Sequence, residues 1–201
     1  VVGLTRRVGV VGGMFDPPHI VHLVLAEFAL DELQLDAVWF LPAAVPPHKS
    51  GTRVSIHHRL AMLELAIADR PEFSISRADI DRPGPHYTVD TLHRLREQHP
   101  DSEFYFIMGA DSLRDLPRWS RPAELLTLCY LVVMDRPGIP VSPDMHEAIL
   151  PGLKDRVVMI ESPMLNFSST EVTARLRAGK SVRYIVPDAV LSYIKDNGLY
   201  E

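Results

Sequence analysis

A single cysteine, Cys129, stands among 201 residues, which excludes an intrachain disulfide. It lies in the apolar run LCYLVVM, where a buried core thiol is the ordinary reading. No apolar run reaches the roughly 18 residues of a membrane span, and the opening VVGLTRRV lacks the hydrophobic stretch of a signal peptide. These absences give the expectation of a cytoplasmic protein with no membrane partner. The chain starts at Val1, so its natural N-terminus is left open. Basic excess is missing too, since 21 Lys and Arg stand against 26 Asp and Glu, a formal net charge of −5. Duplex-binding proteins usually carry a basic stripe that releases counterions. No nucleic acid partner is therefore expected, although a small nucleotide needs only a few local cations.

What remains is the balance of an ordinary globular chain, 46% hydrophobic and 23% charged. One domain over residues 1–201 is expected, without internal repeats or low-complexity tracts. Short β-branched runs alternate with helical periods. RVGVVGG (7–13), AVWFLPA (37–43), FSISRADI (73–80), EFYFIMG (103–109), YLVVMD (130–135) and RVVMIE (156–161) read as strands. Between them, Glu27, Asp31 and Gln34 form a polar helical stripe. Leu60, Leu63 and Ile67 form an inward one, and Thr88 opens a helix in TVDTLHRLREQH. The C-terminal segment from about residue 168 reads as two helices, one with the capping box Ser168…Glu171, the other capped by Asp188 and ended by Gly198. Strands separated by helices of this length imply βαβ crossovers, hence an α/β fold with a mostly parallel sheet and helices on both faces. Ligands of such sheets sit at the carboxyl ends of the strands. That directs attention to Gly12–His22, Pro42–Lys49, Gly109–Trp119 and Arg136.

The stretch GGMFDPPHIVH (12–22) follows the apolar run VGVV. Zinc is disfavoured because no acidic or cysteine ligand follows His19 and His22 at a recognised spacing. A purely local account has Asp16 capping a helix whose first turn is preorganised by Pro17 and Pro18. A phosphate cradle is compatible with that account. The glycine pair admits a polyphosphate to the backbone, the helix start offers N–H groups, and imidazoles one turn apart donate to phosphate oxygens.

The same stretch resembles the GG-x-FDP-x-H-x-x-H signature of the nucleotidyltransferase superfamily related to class I aminoacyl-tRNA synthetases. Further motifs, PPHK, HRLAMLELAI, YTVDTL, GADSLRDLPRW, DRPG, SST and the terminal YIVPDAVLSYIKDNGLY, follow in the order found in bacterial nicotinate-nucleotide adenylyltransferases, over nearly the whole length. The resemblance implies a Rossmann-like sheet with a small C-terminal helical segment. It also implies transfer of the adenylyl group of ATP, with Mg²⁺, to nicotinate mononucleotide, giving deamido-NAD and pyrophosphate in NAD biosynthesis. A homo-oligomer is compatible with it. On the family pattern, His19 and His22 are catalytic contacts to the ATP phosphates, and Gly12, Gly13, Met14 and Phe15 line the same turn. Gly109 and Asp111 hold the adenosine ribose, and Phe167, Ser168, Ser169 and Thr170 border adenine and the outer phosphates. Trp119 and Thr88 receive the pyridine ring and its carboxylate, with Lys49 and Arg136 as phosphate neighbours.

Taken singly, these residues have local explanations: Asp111 and Thr88 as helix caps, Trp119 as loop packing, Lys49 as a solvated charge. Their joint order favours function. Val21, Met14 and Thr173 depart from the family's usual glycine, threonine and arginine. Arg175, two helical steps on, points roughly 200° away from position 173. Two rival functions remain: adenylyl transfer to another phosphate ester, such as nicotinamide mononucleotide or phosphopantetheine, and a nucleotide-binding domain without turnover.

Overall fold

The computed structural model describes residues 5–43, 54–134, 139–161 and 167–201. Strand β1 (Arg6–Gly13) is buried on both sides. It pairs with β2 (Ala37–Pro42) on one flank and with β4 (Ser102–Gly109) on the other. The short β3 (Phe73–Ile75) joins β2, while β5 (Tyr130–Met134) and β6 (Val157–Ile160) extend the other side. All pairs are parallel, in the order β3-β2-β1-β4-β5-β6.

Because side chains alternate across a strand, each strand feeds two cores. Phe104, Phe106 and Met108 of β4 face one core, with Val8 and Val10 of β1. Tyr105 and Ile107 face the other, with Val11. The first core is closed by α3 (Thr88–Gln98), α4 (Ala110–Asp115) and α5 (Pro122–Leu128). The second is closed by α1 (Ile20–Glu32), α2 (Ile56–Ile67), α6 (Ser169–Arg177) and α7 (Asp188–Asp196). The expected Rossmann-like α/β sandwich with its C-terminal helices is thus present. Among the described residues no helix is long and apolar enough to cross a membrane. Strand order reverses between β1 and β4, which is where such sheets open a crevice.

Several local expectations need correction. The run 73–80 is extended only to Ile75; after Ser76 N–H reaches Phe40 O, Arg77 O accepts from Ile80 and Asp81 and the chain turns. Thr88 does open α3, but the capping position is Tyr87, and Asp188 follows its cap, Pro187. The buried stripe of α2 runs through Arg59, Met62, Leu63, Ala66 and Ile67, so Leu60 is displaced from the core by an arginine. Asp16 does not cap α1, which begins three residues beyond the local account, after His19.

Candidate active site

The turn leaving β1 is built around a phenylalanine that turns inward. Phe15 takes a left-handed φ of 48° and is fully buried. Its ring meets the edge of His22 at 4.9 Å and Phe40 at 5.7 Å. A Cβ on Gly13 would lie 3.1 Å from that ring, so a side chain at position 13 would press on the inward-turned Phe15. Phe15 therefore supports the turn from below and does not line it. Asp16, also buried, accepts the hydroxyl of Tyr200 at 2.6 Å. A residue 184 positions away in sequence thus tethers the turn. Tyr200→Phe removes a donor from a buried carboxylate and should cost about 1–3 kcal/mol. Urea unfolding measures it, and an unshifted midpoint would contradict the tether.

Arg59 lies beneath the same turn at 1% exposure. Its Nη1 donates to Met14 O at 2.8 Å and to Ala43 O at 2.9 Å, joining the loops after β1 and β2. Burial lowers its pKa, opposed by Asp16 and Tyr200.

At the start of α1, the rings of His19 and His22 meet at a tilt of 37° with centroids 3.9 Å apart. His22 Nδ1 accepts the His19 backbone N–H at 3.2 Å. The proton of the neutral ring is therefore on Nε2. The helix start is less open than expected. The amide of His19 is engaged by His22 Nδ1, that of Ile20 by Ile185 O and that of His22 by His19 O. Imidazole N–H groups, more than α1 amides, are thus the donors an anion would meet there.

His19 sits behind His22 at 3% exposure, and its Nδ1 has no hydrogen-bond partner among the described residues. Burial pushes its pKa from 6.5 down to about 4, opposed by Glu171. The ring is neutral at neutral pH. Between those two values the unfolded chain binds a proton that the native chain refuses, so stability falls as pH drops through this window, by about 3 kcal/mol in full. Urea unfolding at pH 7 and at pH ~4.5 should show it. His19→Gln should flatten the dependence, and a variant with the wild-type slope would refute the assignment.

A cavity of about 370 Å³ opens above the carboxyl ends of β1 and β4. Gly12, Gly13, Met14, His22, Thr88, Gly109 and Trp119, all anticipated from the sequence, line it together. Trp119 meets Phe106 edge to face at 5.9 Å, which fixes its ring at the wall. Thr88 stands in the first turn of α3, where amides lack intrahelical partners.

Other anticipated residues lie elsewhere. Asp111 is not at the cavity wall and pairs with Arg114 at 3.4 Å. Ser168 caps α6 in the expected box with Glu171, and Ser169 Oγ donates to Pro17 O at 3.0 Å, tying α6 to the turn after β1. Phe167 and Thr170 are exposed beside them, and none of residues 167–170 lines the cavity. Thr173 is buried and donates to Ser169 O at 2.8 Å, while Arg175 donates to Ser181 O at 3.0 and 2.9 Å. Arg175 does not take over position 173. Lys49 and Arg136 fall outside the described residues.

Sequence reasoning missed Asp79 and His86, which also line the cavity, and Arg59 beneath it. A charged residue inside the apolar period HRLAMLELAI was the available signal for Arg59. For His86 it was only its place in the loop before Thr88, and Asp79 stood in a run that reads as a strand.

The cytidylyltransferase-like family model matches residues 10–175. The chain is 46% identical to a protein of Thermomicrobium roseum over 96% of this chain and 91% of the relative, and 44% identical to one of Geobacillus thermodenitrificans over 96% and 86%. Both relatives are named probable nicotinate-nucleotide adenylyltransferases. In fold it is similar to Plasmodium falciparum nicotinic acid mononucleotide adenylyltransferase complexed with NaAD, with a TM-score of 0.81, 21% identity and 97% of each chain covered. The cavity at the strand-order reversal and the near full-length identity agree, and the chain belongs to the nicotinate-nucleotide adenylyltransferases of the cytidylyltransferase-like family.

Proposed function

We propose that this chain transfers the adenylyl group of ATP to nicotinate mononucleotide, forming deamido-NAD and pyrophosphate. One observation carries the reading: a single cavity is lined both by the turn Gly12–Met14 with His22 and by Thr88 with Trp119. The first set suits a polyphosphate, and the second suits a flat ring bearing an anion. An oxygen of the nicotinate mononucleotide phosphate forms a bond to the α-phosphorus of ATP as the bond from that phosphorus to the bridging oxygen breaks. The electron pair leaves with pyrophosphate. A phosphate monoester with a second pKa of about 6 is already ionised near neutrality, so the step needs no general base. The protein's part is positioning and charge stabilisation.

His22 Nε2–H is the donor for a phosphate oxygen, and its ring is aimed by the bond at Nδ1. His19, neutral and packed behind it, is a second donor once phosphate enters. Gly109 and the neighbouring Ser112 line the wall on the adenosine side, with Asp111 one residue away. Mg²⁺ fits as an ion carried by the ATP phosphates and water, a habit of this cation. Among the described residues no three His, Cys, Asp or Glu side chains gather to cage one. When bound it neutralises charge on the phosphates.

The test is pyrophosphate release from ATP and Mg²⁺ with nicotinate mononucleotide, nicotinamide mononucleotide and phosphopantetheine in parallel. Preference for the acid is expected. Preference for phosphopantetheine would replace the acceptor, and release with none would leave a nucleotide binder.

A further inference from the structure

Among the described residues lining the cavity, Asp79 is the only carboxylate, and none is a lysine or arginine. Asp79 is buried. A bare carboxylate in that wall would repel any anionic substrate group brought into the same enclosed space. It is not bare. Its Oδ1 accepts from Arg82 Nη2 at 2.8 Å and from Thr91 Oγ1 at 2.6 Å. Arg82 Nη2 also donates to Thr91 Oγ1 at 3.0 Å, closing a three-membered network against α3. The side chains of Arg82 and Asp79 are 18% and 6% exposed, so water screens the pair weakly. The Arg82 carbonyl accepts from His86 Nε2 at 3.2 Å, and His86, Tyr87 and Thr88 then continue along the cavity wall.

We propose that Arg82 is a specificity-determining residue: by cancelling the charge of Asp79 in the cavity wall, it allows an anionic ring substituent beside Thr88 and so sets the preference for the acid over the amide. The inference rests on the function proposed above and assigns its acid selectivity to a pair that does not itself donate to the substrate. An acid substrate feels the sign of the local charge, whereas an amide, being neutral, feels it far less. Arg82 is thus a positioning residue for charge, distinct from the groups that touch the phosphates.

The test compares kcat and KM for nicotinate and nicotinamide mononucleotides in the full chain and three variants. Arg82→Met should lower the acid-to-amide ratio of kcat/KM by about tenfold or more, chiefly through KM for the acid. Asp79→Asn, which leaves the cation, should hold or raise the ratio. The double variant Asp79→Asn/Arg82→Met carries no unpaired charge and should return the ratio to within about threefold of wild type. Equal losses on both substrates in Arg82→Met would show a merely structural role and overturn the proposal. So would a double variant that prefers the amide, which keeps the test decisive if Arg82→Met fails to fold. Failure of the function itself would be seen separately, as wild-type protein that does not turn over nicotinate mononucleotide.

Discussion

His22→Asn is expected to lower kcat for adenylyl transfer by about 10²–10³-fold, the loss that follows removal of one well-aimed donor to developing charge. Asparagine places its amide oxygen near the position of imidazole Nδ1, so the bond from the His19 backbone N–H is retained while the donor at Nε2 is lost. His22→Ala removes both, along with the edge contact to Phe15 and the ring contact with His19. The two variants should share the catalytic loss and differ in stability. KM for nicotinate mononucleotide should stay within about threefold, because the missing interaction strengthens in the transition state. A loss confined to KM would move His22 from transition-state stabilisation to simple binding.

The second large effect belongs to Arg59. Replacing it with methionine keeps the stem packed but leaves the carbonyls of Met14 and Ala43 without the guanidinium and takes the Arg59 charge away from Asp16. Breaking a buried charged network from one side typically costs about 3–5 kcal/mol. Urea unfolding should show a loss of that size. Activity should fall as well at temperatures where the variant is folded, since Met14 and Ala43 both line the cavity. Arg59→Lys should recover only part, because the shorter lysine does not bring its ammonium to the place of Nη1, the one nitrogen that donates to both carbonyls. Full recovery by lysine would mean that charge alone matters there.

The strands β1, β2, β4 and β5 were legible because buried parallel strands are written as β-branched and aromatic runs that need no partner to be recognised. β3 was over-read for the same reason. FSISRADI looks extended, but at the sheet edge the chain turns once Phe40 O has been used. Asp16 looks like a helix cap because capping is judged over four residues, whereas its observed partner, Tyr200, is 184 residues away. Leu60 was placed in the core because periodicity penalises a buried arginine. Only the tertiary fold supplies the two loop carbonyls that make Arg59 acceptable there.

In the site, the residues that share a turn or an order of motifs, Gly12 to Met14, His22, Thr88, Gly109 and Trp119, were found and do meet. Phe15 stands away from the cavity wall, and nothing in GGMFDPP tells that its φ is positive and its ring turned inward. Asp111 and residues 167–170 carry the family pattern without standing at the cavity wall. The first amides of α1 looked available in sequence, yet Ile185 O takes that of Ile20 and His19 O that of His22.

The most direct measurement of the account is the joint quantitation of deamido-NAD and pyrophosphate from ATP, Mg²⁺ and nicotinate mononucleotide, with His22→Asn beside the wild type. The account predicts the two products in equal amounts from the wild type and a loss of about two orders of magnitude or more in the variant. Pyrophosphate without deamido-NAD, or a variant as fast as the wild type, would contradict the reading of this cavity as one that joins a phosphate cradle to a pyridine-acid site.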